Sequence, residues 1–200
     1  MPHDVSLNDA MLLVILLVAL SCCVSAATNP FAGHWQLEMG KEAVCTDQIL
    51  QLLGFGKIKR DVILSLQVVE QFEVGPATLR IVRDTWYTHS DHTFTLGETQ
   101  SVEDELLGHV KQTITAQATR IVTAIVRDDR SQISVVRRME PSNDRFSATM
   151  NYTAAAGGQQ GSCTRHYAKI HSAHAVGNRM GQLQPLRTEV FASQVRKTRE

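Results

Sequence analysis

The sequence lacks an excess of charge of either sign, because 20 Lys and Arg residues balance 20 Asp and Glu residues. No global basic field therefore draws the chain to nucleic acid or to an anionic membrane surface. It also lacks a glycine-rich phosphate loop, a nucleophile elbow and a Cys-x-x-Cys pair. Ser, His and Asp residues are present, but no motif links them into a triad, so an enzyme is the least supported class. With 43% hydrophobic and 20% charged residues, the chain has the composition of one ordinary globular domain.

The N-terminal segment has no Lys or Arg ahead of its apolar run, which spans residues 11–20 without a break. Small residues follow, and the pattern predicts a secretory signal peptide over residues 1–26, cut near Val24-Ser25-Ala26. The missing basic residue means either that Met11 is the true start or that the signal is atypical. A retained membrane anchor is the alternative, but the apolar segment from Met11 to Val24 is shorter than the roughly 20 residues that span a bilayer.

Cysteine is scarce, and two of the four cysteines, Cys22 and Cys23, lie in this N-terminal segment. The other two, Cys45 and Cys163, permit one disulfide in an oxidising compartment, and two free buried thiols are the alternative. The Asn-Tyr-Thr triplet that begins at Asn151 is an acceptor pattern for N-glycosylation if the signal peptide is real. We therefore expect a protein that is secreted or held in the lumen of the secretory pathway.

The first part of the remaining chain changes its hydrophobic period twice. Residues 31–37 alternate in a period of two, which predicts a strand with an aromatic inner face, and Trp35 is assigned to the core. Residues 42–66 then show helical spacing, interrupted at Gly54-Phe55-Gly56. This pattern predicts two short helices joined by a glycine turn.

Beyond residue 70 the sequence has short apolar or β-branched runs between turn signals. Nine further strands are predicted, over residues 71–74, 77–82, 85–88, 93–96, 108–116, 120–127, 132–139, 145–153 and 162–170. Their regular spacing and short turns favour an antiparallel meander closed into a barrel. Residues 171–200 lose the apolar runs and are interpreted as a flexible, mildly basic tail.

Four segments in fixed order carry a resemblance to a known family. They are Phe31-Ala32-Gly33-His34-Trp35-Gln36-Leu37, the helix break at Leu53-Gly54-Phe55-Gly56, Phe94-Thr95-Leu96-Gly97-Glu98 and Cys163-Thr164-Arg165-His166-Tyr167-Ala168-Lys169. Over residues 29–170 the chain resembles the intracellular lipid-binding family, which comprises the fatty-acid-binding and cellular retinoid-binding proteins. The resemblance implies an all-β fold, a ten-stranded antiparallel up-and-down barrel with a helix-turn-helix lid after the first strand. It also implies binding and transport of a long-chain fatty acid or similar hydrophobic anion inside the barrel.

The resemblance also assigns the residues of the site. In many members, an Arg and a Tyr two residues apart on the last strand hold the ligand carboxylate, together with an Arg on an earlier strand. By position the pair is Arg165 and Tyr167. The earlier Arg is Arg137, or Arg138 if the strand register shifts by one. Without the resemblance, a solvent-facing Arg165 and a Tyr167 packed in the core would be the simpler interpretation.

The expected partners follow from the same resemblance. They are a fatty acid or related hydrophobic ligand, with transient membrane contact through the helical lid, for a monomer that uses no cofactor. Family members are typically cytosolic, and this chain departs from them in its N-terminal segment and its tail, although secreted members exist among invertebrates.

Two histidine pairs have a spacing that metal sites use, His89 with His92 and His171 with His174. Neither has a third ligand close by in the sequence, and the first pair is expected in a turn, so no metal site is predicted. Two other functions stay open, a lipocalin-type carrier of another small hydrophobic ligand and a non-transport extracellular interaction protein. The helix pair directly after the first strand favours the fatty-acid carrier, because a lipocalin usually has its main helix near the C-terminus.

Overall fold

The computed structural model describes residues 29–38, 40, 42–86 and 88–171. The predicted signal peptide, the tail beyond His171 and therefore His174 lie outside these residues. Within them, ten strands form one antiparallel sheet that curls into a nearly closed barrel, and two helices follow the first strand. The strands are β1 (Gly33–Leu37), β2 (Val69–Val74), β3 (Thr78–Asp84), β4 (His89–Thr95), β5 (Thr99–Asp104), β6 (Gly108–Gln117), β7 (Arg120–Arg127), β8 (Gln132–Met139), β9 (Arg145–Thr153) and β10 (Gln160–Ile170). The helices are α1 (Ala43–Leu52) and α2 (Lys57–Ser65), and a 3₁₀ turn at Ala155–Gly157 precedes β10.

The sheet follows the chain in an up-and-down order. The spatial order is β4-β3-β2-β1-β10-β9-β8-β7-β6-β5, so β1 lies between β2 and β10. His34 lies opposite both Ile170 of β10 and Gln71 of β2. The order ends at β4 and β5, so the sheet has a gap in its hydrogen bonding between these two strands. The all-β barrel with a helical lid after the first strand is thus confirmed.

One predicted strand is wrong and another was missed. Thr85 and Thr88 form the turn between β3 and β4, because the Thr85 N–H donates to the Thr88 carbonyl at 2.9 Å and the Thr88 N–H donates to the Thr85 hydroxyl at 2.7 Å. This side-chain bond offers the backbone an alternative to the sheet ladder. The missed strand is β5, whose residues are mostly polar and whose side chains alternate between exposed and half-buried. It gave no hydrophobic run to recognise.

An aromatic cluster forms much of the core between β1, β2, β9 and β10. Phe146 lies at its centre, with ring centroids 5.0 Å from Trp35 and 5.9 Å from Phe72. Trp35 is fully buried, and its indole N–H donates to the Phe31 carbonyl at 2.8 Å. A buried indole needs such a partner, so this bond fixes the ring while its apolar surface packs. Trp35 is therefore a core residue, as predicted.

The two lid helices differ in how they are attached to the barrel. Helix α1 packs against β10 at Gly161, where a Cβ atom would lie 2.7 Å from the Cδ1 atoms of both Ile49 and Leu52. Cys45 of α1 and Cys163 of β10 are joined by a disulfide, with their Cα atoms 5.2 Å apart. Helix α2 has no fully buried residue among those described. In the described part of the chain, no helix is both long enough and apolar enough to span a membrane.

Candidate ligand cavity

The interior of the barrel holds a cavity of about 700 Å³ that opens beneath α2. This volume lies within the range of about 300–1,000 Å³ usual for small-molecule sites. Its apolar wall includes Leu66, Val68, Val135, Ala148 and Met150. Charged and polar groups also line it, namely Glu70, Arg83, Asp104, Arg137, Arg165 and Tyr167. The cavity is thus an apolar space with a few polar groups concentrated inside it.

Strand register places the predicted arginines in one row. Arg137 of β8 lies opposite Ala148 of β9, and Ala148 lies opposite Arg165 of β10. Arg137 points inward and is only 5% exposed, whereas its neighbour Arg138 is exposed on the outer face. Of the two registers left open by the sequence, the structure therefore has the one with Arg137 inside. The small side chain of Ala148 leaves space between the two inward arginines.

Glu70 of β2 is, like Arg83 and Asp104, a residue of this site that the sequence did not reveal. It is 1% exposed, and its Oε1 atom accepts hydrogen bonds from Nε and Nη2 of Arg83 at 3.2 and 3.1 Å. Arg137 Nη2 lies 3.4 Å from both carboxylate oxygens. The only available signal was an inward alternation of Val68, Glu70 and Phe72, but the predicted strand began one residue after Glu70.

The ionisation of Glu70 is set by two opposing effects. Burial alone would raise the pKa of this carboxyl, because a charge loses its hydration in the interior. The guanidinium groups of Arg137 and Arg83 outweigh burial and lower the pKa from 4.5 to about 2. Glu70 is therefore a carboxylate at neutral pH. The same pairing raises the pKa of Arg83 and outweighs the lowering effect of desolvation on this partly buried side chain, so Arg83 stays charged.

Arg137 pairs with Glu70, but this pairing does not use all of its hydrogen-bond donors. Its Nη1 donates to the Thr123 hydroxyl at 3.4 Å, and its guanidinium carbon lies 5.5 Å from the centroid of the Phe72 ring. Its Nε has no hydrogen-bond partner among the described residues. Hydrogen bonds of 3.4 Å are at the long end of the useful range, so Arg137 retains donor capacity.

Arg165 and Tyr167 are arranged differently. The structure gives the Arg165 side chain no ion-pair or hydrogen-bond partner within residues 29–38, 40, 42–86 and 88–171, although it is partly buried and lines the cavity. Tyr167 is 5% exposed and stacks on Phe146, with centroids 4.6 Å apart and an interplanar angle of 9°. Burial, assisted by the charge of Glu70, raises the pKa of Tyr167, so its hydroxyl remains a donor. Together they present a guanidinium and a hydroxyl to the cavity.

Of the remaining predicted residues, His92 lines the cavity, whereas Asn151 and His89 are not part of its lining. Asn151 is exposed on β9 and accepts a hydrogen bond from the Ser162 hydroxyl at 2.8 Å. His89 and His92 lie within β4 rather than in a turn, so the expected turn is wrong. Their spacing of three residues points them to opposite faces, since strand side chains alternate. In the described residues, no group of three His, Cys, Asp or Glu side chains is placed to hold a metal ion.

Comparison with known proteins places this barrel among the fatty-acid-binding proteins by fold. Fatty-acid-binding protein 1 of Echinococcus granulosus superposes with a TM-score of 0.59 at 18% identity, covering 70% of this chain and 98% of that protein. The Schistosoma mansoni fatty acid binding protein, solved in complex with arachidonic acid, gives 0.59 at 16% identity, with coverages of 72% and 99%. An abundant heat soluble protein (SAHS) of Ramazzottius varieornatus gives 0.58 at 12% identity, with coverages of 71% and 96%.

The sequence alone finds no such match. No protein-family model and no curated protein matches the chain. At these identities the similarity shows the fold alone. The resemblance seen in the sequence is confirmed at that level.

Proposed function

We propose that this protein binds and transports one long-chain fatty acid, or a similar lipid with a single negative charge, inside its barrel. The observation that carries the proposal is the guanidinium of Arg165, which has no partner among the described residues and lines an apolar cavity of about 700 Å³ together with Tyr167. The fold shared with fatty-acid-binding proteins supports it.

The charges inside the barrel fit a single anion. Among the cavity-lining residues that are not exposed, Arg83, Arg137 and Arg165 carry three positive charges, while Glu70 and Asp104 carry two negative charges. The difference of three and two leaves one positive charge. A monocarboxylate would neutralise it, and a buried charge is tolerated best when it is paired.

The energies involved also suit a carrier. An acyl chain gains about 0.8 kcal/mol per buried methylene, so about 14 methylenes contribute on the order of 11 kcal/mol. Association costs several kcal/mol, which leaves micromolar to nanomolar affinity. An unpaired carboxylate would cancel much of that gain, and the charge-assisted hydrogen bonds of Arg165 and Tyr167 restore it. Both groups bind an anion by donating hydrogen bonds, which suits transport rather than catalysis.

We also propose that the protein acts as a monomer outside the cytosol. The apolar segment over residues 11–20 and the small residues after it support export. The disulfide between Cys45 and Cys163 suits an oxidising compartment, and Asn151 is accessible for glycosylation.

The direct test is native mass spectrometry of the protein produced in a eukaryotic host, followed by organic extraction. We expect a fatty acid bound at about one per chain, and the extracted species identifies the ligand class. An empty protein that also fails to take up added fatty acid would contradict the proposal. It would favour a non-transport extracellular role, a second candidate supported by the similarity to a protein named for heat solubility.

A further inference from the structure

Three arginines line the cavity, yet one internal carboxylate engages two of them. We propose that Glu70 takes the place of a ligand carboxylate at Arg137 and Arg83, and thereby confines the ligand's head group to Arg165 and Tyr167. Glu70 is then a specificity-determining residue that sets how strongly the cavity prefers a carboxylate over a neutral lipid. This inference rests on the proposed function, because it concerns which groups of the same cavity the ligand uses.

The position of Glu70 is built into the barrel. Arg83 lies directly opposite Glu70 on the neighbouring strand β3. Arg137 comes from β8, which is four strands away from β2 in the sheet, so its contact with Glu70 crosses the barrel interior. The Glu70 carboxylate therefore lies inside the cavity, where it contacts guanidinium groups from two walls.

A second carboxylate at Arg137 would be unfavourable. It would lie close to the ionised Glu70 in a poorly hydrated interior, and two such carboxylates repel each other strongly. Arg165 is better separated, because Ala148 lies between it and Arg137 in the row across β8, β9 and β10. Two inter-strand spacings of about 4.8 Å put roughly 10 Å between the two arginine backbones. A ligand carboxylate at Arg165 thus avoids most of this repulsion.

Arg137 is nevertheless able to bind an anion. Its contacts to Glu70 are long, at 3.4 Å, and its Nε is unpaired among the described residues. Removing the charge of Glu70 would therefore leave Arg137 as a second cation for the ligand carboxylate. It would also raise the net positive charge of the interior from one to two.

The test compares two ligands of equal chain length, dodecanoate and 1-dodecanol, titrated by calorimetry into the delipidated full chain. The variants are Glu70→Gln and the double variant Glu70→Gln with Arg137→Gln. Glu73→Gln is the matched control, because Glu73 lies on the same strand but pairs with Arg80 on the exposed face. Circular dichroism establishes that each variant is folded.

We expect Glu70→Gln to bind dodecanoate about tenfold more tightly or better, the gain of one charge-assisted contact. Its affinity for dodecanol should stay within about twofold of the wild type, since the alcohol carries no charge. The double variant should bind dodecanoate about as well as the wild type, because it removes one negative and one positive charge and so restores the interior net charge of one. Arg83 also loses its partner, but its side chain is 36% exposed and is therefore screened by water. The Glu73→Gln control should change neither affinity.

Two results would overturn the inference. One is a folded Glu70→Gln variant whose dodecanoate affinity is unchanged or weaker. The other is a loss of more than about tenfold in the double variant, which would show that Arg137 binds the ligand directly. If Glu70→Gln does not fold, the double variant decides, since it removes both charges together. A wild-type protein that binds neither ligand would contradict the proposed function itself. That result differs from both of the others, because each of them requires measurable binding by the wild type.

Discussion

Arg137 and Arg165 are the same residue type on the same inner face of the barrel, and only Ala148 separates them in the row. Their environments still differ. Arg137 is 5% exposed and paired with Glu70, whereas Arg165 has no partner among the described side chains. Their roles therefore depend on the carboxylate that faces one of them and not on their position in the strand pattern.

Replacing Arg165 by Gln should weaken dodecanoate binding by more than about tenfold, because the ligand carboxylate loses its charged donor. The fold should be unaffected, since Arg165 makes no ion pair within the described chain. Titration calorimetry measures the affinity, and Arg138→Gln on the outer face is the control. Equal affinities in the two variants would contradict the assignment of Arg165 to the head group.

Glu70 should also contribute to stability in a pH-dependent way. Its pKa is lowered from 4.5 to about 2 in the folded state, so its contribution is fully present above pH 4.5 and is lost as pH falls towards 2. Between about pH 6 and pH 3, the wild type should lose on the order of 2 kcal/mol more unfolding free energy than the Glu70→Gln variant. Urea unfolding at both pH values measures this difference, and parallel losses in the two proteins would show that Glu70 is not the titrating group.

The two helices of the lid differ in how firmly they are attached to the barrel. Helix α1 is tied to β10 by the disulfide and by close packing at Gly161. Helix α2 lies over the cavity with Ile58 70% exposed, and Arg60 connects it to Asp47 of α1 at 2.7 Å. Helix α2 is therefore the less tightly attached part of the lid.

Removing the disulfide with Cys45→Ser and Cys163→Ser should destabilise the protein by about 2–5 kcal/mol. The bond closes a long loop, with a sequence separation of 118, and so restricts the unfolded chain. Amide exchange should rise in α1 more than in α2, because only α1 loses a covalent tether. Unfolding in guanidinium chloride measures the stability, and hydrogen exchange measures the opening of each helix. An unchanged midpoint of unfolding would show that the bond does not stabilise the chain.

We also propose that α2 contacts a membrane surface. Ile58 is exposed between Lys57 and Lys59, a combination that favours an anionic bilayer surface. Ile58 also lines the mouth of the cavity, so affinity is measured beside the rate. Ile58→Ser should slow the transfer of a fluorescent fatty acid from anionic vesicles severalfold, by more than any change in its affinity. Val126→Ser on β7, 41% exposed and outside the lid, is the control. Identical transfer rates in both variants would argue against contact through α2.

The described residues form one barrel whose interior holds both the aromatic cluster and the cavity, which meet at Tyr167. Ligand binding should stabilise this barrel by mass action, since the unfolded chain has no cavity to fill. At a dodecanoate concentration of about 100 times Kd, the gain is about 2.7 kcal/mol. For a domain of this size, that gain should raise Tm by roughly 5–10 °C. Thermal unfolding of the wild type measures the shift, and Arg165→Gln at the same ligand concentration should show much less of it.

Much of the fold was predictable because it depends on local pattern. The change from period two to helical spacing and back placed the first strand, both helices and most later strands, since side-chain direction follows backbone geometry. Strand β5 was missed because it is an edge strand of the sheet, and its mostly polar residues show no hydrophobic run. The turn at Thr85 and Thr88 was mistaken for a strand, because β-branched residues suit both and only the hydroxyl's hydrogen bond distinguishes them.

The sequence by itself determined that Arg165 and Tyr167 share one face, because they lie two residues apart on one strand. It could not decide between Arg137 and Arg138, since that choice depends on strand register. Nor could it pair Glu70 with Arg137, which is 67 residues away and on another wall of the barrel. Only closure of the sheet brings these two charges together in a space with little water. There Arg137 helps to lower the pKa of Glu70, and Glu70 accepts hydrogen bonds that Arg137 would otherwise offer to a ligand.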